Sequence, residues 1–534
     1  MKELAFDNCN VPYKLVPDSC NPLGPYDSKP YQINMADQKK SDDLNNLERN
    51  ISVSAGTGME FQKRFSTPNV LAVCVTLMAT WEAMGGVFAG GLTAGGPVAL
   101  LYGYILALVG TMATCLSLAE LASLSPTSAG QIQWAAILAP PRYARLCSWI
   151  TGWITTLGWQ AFTASAAFLG GTMIQGLVVL RYANYQSERW HGTMIYWAIL
   201  FLAFLVNTVG IKLMPMIENG ILIFHIVTLI AVIIPLVMLA PHKSAEYVFT
   251  TFENSSGWEN DGVAWFLGLL SASYVLVGYD GACHLSEEMH NASVVLPRVM
   301  IGTIALNSLL GLGFLFALLF CLGDTESVLN SSLGFPTIQI FYNTTGSQAA
   351  TTALMTPFIS VAIASTFGLL ASTSRTTWAF ARDRGLPFSG FLAQIDTTST
   401  LPLRAITSST VFMALLGLIN IGSTTAFNAI VSLSVVSLYV SYLIPIVLHL
   451  SRRMTGPPLQ YGPFNLGKLL GPIMNVLAMI YSAVIVIFLF FPPYQPVTPE
   501  NMNYAVVVFG AVLAFSGVLW AAKGRRVFEG TRQM

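Results

Sequence analysis

Polar residues are scarce along this chain, and where they cluster they divide it into blocks. A polar stretch of 68 residues rich in Asn, Asp, Lys and Pro comes first. Apolar segments then follow at 70–94, 97–122, 147–180, 192–210, 215–240, 263–285, 298–322, 351–380, 403–422, 425–449, 471–492 and 503–522. A helix of about 20 apolar residues spans the hydrocarbon layer of a bilayer. The pattern therefore predicts an all-α polytopic membrane protein with about twelve transmembrane helices, preceded by a disordered tail without a cleavable leader.

The basic residues give the predicted bundle a sidedness. With the amino terminus in the cytoplasm, the inner side receives Arg142, Arg145, Lys212, Arg298, Arg382, Arg384, Arg404, Arg452, Arg453, Lys468, Lys523, Arg525, Arg526 and Arg532. The outer side keeps only Arg181, Arg189 and Lys243. That asymmetry predicts both termini in the cytoplasm. Glycosylation sequons at Asn254, Asn330 and Asn343 all fall in predicted external loops, which agrees with that orientation and points to the secretory pathway, with the plasma membrane as the expected destination.

Composition narrows the function. Hydrophobic residues make up 54% and charged residues 10%, and mean hydropathy is +0.61. A soluble chain would carry charges at about a quarter of its positions. A net charge of zero argues against a nucleic-acid partner. The seven cysteines show no metal-ligand spacing, and no nucleophile–base pair, metal cluster or phosphate loop is visible, so neither an enzyme nor a bound metal or cofactor is expected. No continuous polar stripe suggests a channel.

Two segments carry an acid where an apolar helix disfavours one. In the sixth, Gly278-Tyr279-Asp280-Gly281 brackets a carboxylate with glycines, and such a charge costs about 2.5–3.5 kcal/mol at the bilayer centre. In the first, Thr80-Trp81-Glu82-Ala83-Met84-Gly85-Gly86 sets an acid just before a glycine pair. Broken helices expose backbone N–H and C=O groups that hold polar solutes. Two of them, five spans apart, are the pattern of a five-plus-five inverted repeat, which would bring Glu82 and Asp280 together; the alternative for the glycines is close helix packing. Trp159 is the deepest of three tryptophans in span three, and its face would suit a cation, whereas Trp149 and Trp153 read as anchors. Glu120 would pair with Arg142 or Arg145. Glu287 and Glu288 read as an inner gate, the basic end of span eight from Arg375 to Arg384 as a snorkelling anchor, and His225 and His449 as polar packing residues. Lys29, Lys39, Lys40 and Lys63 are candidate modification sites in the tail.

Taken together, Ala119-Glu120-Leu121-Ala122-Ser123 with Pro126 and Gly130, Gly278-Tyr279-Asp280 with Glu287-Glu288, and Ala379-Phe380-Ala381-Arg382-Asp383 resemble the amino acid-polyamine-organocation transporter superfamily over about residues 65–525. His284-Leu285-Ser286-Glu287-Glu288, Arg382-Asp383-Arg384-Gly385-Leu386-Pro387 and Ile421-Gly422-Ser423-Thr424-Thr425-Ala426-Phe427-Asn428 look like its fungal amino acid/choline branch, which includes choline and GABA permeases. The resemblance implies a LeuT-type fold: a tail at 1–68, a ten-helix core at 69–450, two further helices at 451–522 and a cytoplasmic tail at 523–534. It also implies a substrate held between broken helices one and six, and proton coupling. The helix-one break falls at Trp81-Glu82-Ala83 or at Gly85-Gly86. The expected function is alternating-access transport of a small amine-bearing solute, such as choline, GABA or another amino acid. Glu82, Gly85, Gly86, Trp159, Gly278, Tyr279 and Asp280 would contact the solute, and Asp280 and Glu82 would pair with its ammonium or carry the proton. The rivals are a nutrient sensor on the same fold and an exporter of a nitrogenous metabolite.

Overall fold

The computed structural model describes residues 61–530 other than Ala183, Ser332, Thr424, Thr425 and Pro458, and the side chains of 426–428 are not described either. Lys29, Lys39, Lys40, Arg532 and the third residue of the Asn330 sequon lie outside the described residues.

Ten helices among the described residues are long and apolar enough to cross a membrane. One of these turns back on itself, and a shorter interrupted helix supplies the remaining crossing, so about twelve passages result. In chain order they are α1 (Thr67–Met78), α2 (Thr80–Leu124), the short buried α3 (Gln131–Leu138), α4 (Ala144–Arg181), α5 (Arg189–Thr208), α6 (Met214–Leu239) and α7 (Asp261–Val275). After α7 come the four-residue α8 (Gly281–His284), α9 (Ala292–Phe320), the ten-residue α10 (Pro336–Thr345) and α11 (Gln348–Arg382). The chain ends with α12 (Leu403–Leu416), α13 (Ala426–Thr455), α14 (Gly467–Phe488) and α15 (Ala505–Leu519). Only helices satisfy their own backbone in lipid without a partner strand, which is why long apolar runs fold this way.

The turn inside α2 lies at Gly95 and Gly96. Gly96 sits at φ +66°, and a Cβ there would press on the backbone N of Glu253 at 3.2 Å, so glycine is needed to reverse the chain before Pro97 starts the second passage.

Two groups of helices carry the interior. α2 packs along α7 and α9, α4 runs between α11 and α13, and α14 bridges α2 and α13. α15 buries only Ala505 and Ser516 and lies at the periphery. α6 shows how lipid and protein divide one helix. Ile223, Val227, Ile230 and Ile234 are exposed on one face. Met214, Glu218, His225, Leu229, Val232 and Leu236 recur at helical spacing on the buried face, so the polar residues of this helix point inward.

The expected tail does not extend to residue 68. Phe61 and Phe65 are buried, Phe65 bridges to Met289, and the N–H groups of Arg64 and Phe65 both donate to the Glu288 carbonyl at 2.9 and 3.1 Å. The backbone of this segment finds its hydrogen bonds on the turn that follows α8, at Glu288, and its aromatic rings find a core, so 61–66 belong to the folded body.

Candidate functional site

The structure interrupts the first helix earlier than its glycines suggest. Ala79, between α1 and α2, has φ 40° and ψ 48°, the left-handed region that costs an L-residue about 1–2 kcal/mol. Trp81-Glu82-Ala83 and Gly85-Gly86 lie in regular helix beyond it, which corrects both expected positions for the break. Gly85 and Gly86 instead allow close packing: a Cβ would lie 2.6 Å from Phe358 and 2.3 Å from Leu169, respectively. Contacts from distant helices satisfy the break. Asn307 of α9 donates its amide to the Val75 carbonyl at 3.2 Å, and the Thr80 hydroxyl donates to the Val275 carbonyl at 2.8 Å.

That second bond ties the first break to another. α7 ends at Val275, and the chain passes Leu276 and Val277 to Gly278, whose φ of 108° only glycine adopts readily. A Cβ on Gly278 would stand 2.7 Å from the Phe162 ring. Helical turns resume at Gly281 and run through a 3-10 turn at Ser286–Glu288. The sequence placed this break correctly at Gly278 to Asp280.

Asp280 and Glu82, expected to meet, have separate partners, and no hydrogen bond or ion pair joins them among the described residues. Asp280 is fully buried and accepts from Tyr442 of α13 at 2.5 Å, Gln131 of α3 at 2.7 Å and the Trp159 indole of α4 at 3.2 Å. His284 stands 3.5 Å from it one turn on, with its other ring nitrogen 2.8 Å from the Ser128 carbonyl. Glu82 is equally buried and lies 2.8 Å from His225 of α6, whose same ring nitrogen is also 3.1 Å from the Trp81 indole. His225 is therefore an acid's partner rather than a packing residue. Trp159 offers Asp280 its N–H, and its ring meets His284 edge-on at 5.1 Å. Tyr279 is buried, its hydroxyl has no partner among the described residues, and its ring centre lies 5.7 Å from that of Tyr442. Tyr442, Gln131 and His284 escaped the sequence reading as partners because each comes from a different element; only the i, i+4 spacing of Asp280 and His284 was visible.

Between the breaks lies a cavity of about 10 Å³, room for roughly one water. Its wall comes from α1, α2, α4, α7 and α11 and includes Ala79, Ala83, Phe162, Tyr274 and Ser365. None of the seven expected contact residues lines it. Its aromatic residues are Phe162, one turn beyond Trp159, and Tyr274, which stand 5.5 Å apart edge to face, with the Tyr274 hydroxyl held by Ser165 at 2.9 Å. A second cavity, of about 150 Å³, is lined by Gly86, Gly90, Ser271, Ser432, Tyr494 and Asn503 among others.

Charged groups close one end of the bundle, the end at which both described termini dock. Glu288 pairs with Arg375 at 2.8 Å and with Arg64 at 3.7 Å; Glu288 and Arg375 are each only 1% exposed. Glu287 pairs with Arg382 at 3.0 Å, accepts from Ser128 at 2.5 Å, and its carbonyl takes the Lys63 ammonium at 2.9 Å. Arg375 is thus a buried ion-pair partner, which corrects the expected snorkelling anchor; Arg382 remains partly exposed over the Trp378 ring at 4.7 Å. Glu120 pairs with Arg453 and accepts from the Leu466 N–H at 3.0 Å, so its partner is neither Arg142 nor Arg145. The physical reason is that the residues after α13 pass over the end of α2, where Ser123 and Glu120 accept from the N–H groups of Phe464 and Leu466. At the same end, burial pushes the Asp383 carboxyl up to about 6; Arg382 opposes that and Glu529 and Glu287 add to it. Phe528 is buried against Trp149, and Trp149 itself is a packed residue rather than an interface anchor. His449 contacts Tyr461 and Arg453, each at 3.2 Å, as a polar packing residue would.

Of the sequons, Asn330 and Asn343 are exposed, while the Asn254 amide is engaged by the Trp258 carbonyl at 2.8 Å. Among the described residues no group of three or more His, Cys, Asp and Glu side chains is placed to hold a metal ion.

Comparison with known proteins bears on what such a site does. The family model described as "Amino acid permease" matches residues 65–512. A putative amino acid/polyamine transporter of Macrophomina phaseolina is 34% identical over 432 residues, 80% of this chain and 95% of that protein. A choline transporter of Saccharomyces cerevisiae is 29% identical over 489 residues, covering 91% and 86% of the two chains. An amino-acid permease of Neurospora crassa is 31% identical over 465 residues, covering 86% and 84%.

Proposed function

The chain belongs to the amino acid permease family, an integral multi-pass membrane permease and not an enzyme, and on that footing we propose that it carries a small amine-bearing solute by proton-coupled alternating access. The observation that supports this most is the pair of interrupted helices stitched by Thr80 and Val275 beside a small cavity. The first N–H groups of α2, at Thr80, Trp81 and Glu82, have no partner within the helix and suit a carboxylate. The last carbonyls of α7, together with the faces of Phe162 and Tyr274, suit an ammonium. A solute with both groups, such as GABA or another amino acid, would use both ends of the site; choline would use only the aromatic and carbonyl side.

A cavity of one water's volume holds no such solute, so this conformation is a closed one between loading steps. The Glu287 and Glu288 pairs would be the inner gate, with both termini cytoplasmic, and the larger cavity at Gly86 and Tyr494 would lie on the outer route. Asp280 would act as the hub that registers the state of the site to α3, α4 and α13, and Glu82 with His225 would link α2 to α6. The plasma membrane is the proposed location, and Asn330 and Asn343 the proposed glycan sites.

The test is uptake of labelled choline, GABA and a panel of amino acids at two external pH values, in cells lacking their own permeases. Saturable accumulation of one solute, greater at acid pH, is expected. No accumulation of any of them by protein confirmed at the surface would refute proton-coupled import of this solute class.

A further inference from the structure

We propose that Glu218 of α6 is a proton-carrying carboxyl whose bond to Thr76 at the end of α1 ties proton binding to the movement of that half-helix. This rests on the proton-coupled reading above and names a residue for it that neither helix break contains.

Each other acid buried in the helices has a nitrogen-bearing side chain beside it: Asp280 has Gln131 and Trp159, Glu82 has His225, Glu120 has Arg453 and Glu288 has Arg375. Glu218, fully buried, has none among the described residues. Its Oε2 lies 2.5 Å from the Thr76 hydroxyl, and its Oε1 has no partner. The Thr76 hydroxyl is also 2.9 Å from the Ala72 carbonyl one turn back. A hydroxyl has one hydrogen and two lone pairs. When Thr76 gives its hydrogen to Ala72, the 2.5 Å contact to Glu218 needs a hydrogen from the carboxyl, so the neutral acid donates to Thr76. When Glu218 loses that proton, the hydroxyl must turn to the carboxylate and release Ala72. One proton thereby switches the hydrogen bonding at the end of α1 next to the Ala79 break.

Among the described residues the surroundings contain no charge that would take over this role. α1 offers the buried Cys74 thiol. α9 offers Arg298, which is exposed, and α11 offers Arg375 and Arg382, which are paired with Glu288 and Glu287. α10 has Tyr342, and His225 on α6 itself is held by Glu82. α1 is also the element whose leading residues 61–66 are fastened to Glu288, so opening that end would draw Thr76 from Glu218. The carboxyl would then meet inner water and give up its proton there; in the closed state it keeps it.

The experiment uses the full chain in liposomes and compares wild type with Glu218→Gln. One readout is accumulation of labelled choline, GABA or amino acids driven by an inward proton gradient, and the other is counterflow of the same solutes at equal pH. Loss of gradient-driven accumulation with counterflow kept is the expected result. Gradient-driven accumulation as in wild type would overturn the role of Glu218 and leave the proton-coupled reading standing. Counterflow without gradient-driven accumulation in wild type would overturn that reading and this inference with it. If Glu218→Gln loses both, Thr76→Val decides, since it keeps the carboxyl: a displaced pH profile of accumulation supports the assignment and an unmoved one refutes it. Infrared difference spectra between two pH values need no solute. A carboxylic acid carbonyl band present in wild type and missing in Glu218→Gln is expected, and identical spectra would overturn the proposal.

Discussion

Removing the Arg375 guanidinium should open the charged end of the bundle, and the protein carries its own reporters. Arg375 and Glu288 are 2.8 Å apart and 1% exposed, so Arg375→Ala leaves a buried carboxylate whose one remaining cation among the described residues, Arg64, stands 3.7 Å away. Breaking one side of a buried pair costs about 3–5 kcal/mol. If that cost falls on the closed state alone, the open fraction rises by roughly 10²–10⁴, at about 1.4 kcal/mol per decade. Cys74 in α1 and Cys283 in α8 are fully buried, whereas Cys147 is half-exposed and serves as a control. Alkylation of each cysteine, followed by peptide mass spectrometry, reads the open fraction when opening is fast compared with labelling. Cys74 and Cys283 should label far faster in Arg375→Ala, and Cys147 should not change. Replacing both partners by Met removes the stranded charge and should return labelling toward wild type. Wild-type rates at Cys74 and Cys283 in Arg375→Ala, or no recovery in the double variant, would refute the claim that this pair holds the end closed.

Asp280→Asn should cut solute uptake by about tenfold or more at unchanged surface level, because bonds to a charged group contribute about 1.5–3 kcal/mol each and the amide presents N–H where Tyr442, Gln131 and Trp159 donate; normal pH-dependent uptake would disprove it. Gly278→Ala should lower thermal stability in detergent by about 1–3 kcal/mol from its backbone alone, so Phe162→Leu, which removes the 2.7 Å contact, should restore only part of the loss. The Asp383 carboxyl, pushed from 3.8 to about 6, binds more protons folded than unfolded between those values, so stability should fall as pH rises through that window. The effect is at most about 3 kcal/mol, and Asp383→Asn should flatten it; an equal slope in both proteins would show that other groups set it.

Much of the fold was legible in the chain. Backbone groups in lipid must be satisfied within their own segment, so a run of apolar residues is nearly sufficient to specify a helix and its ends. The predicted spans at 147–180 and 215–240 match α4 and α6 within a few residues, and Gly278 marked the second break because positive φ demands glycine. Short elements were not legible: the eight-residue α3, which supplies Gln131, is too brief to stand out from its neighbours. Glu218 and His225 carried a usable signal, since both share the buried face of an otherwise apolar helix.

By itself the sequence determined the membrane setting, the number of passages, the second break and the presence of acids inside the bundle, because hydrophobic length and backbone stereochemistry act locally. Tertiary structure alone decided the rest. It put the first break at Ala79, where Asn307 and the Val275 carbonyl supply bonds that no neighbour in sequence offers. It gave Asp280, Glu82 and Glu218 three separate sets of partners, drawn from helices more than a hundred residues away. What a buried carboxyl does depends on the donors that reach it, and those donors are set by which helices pack together.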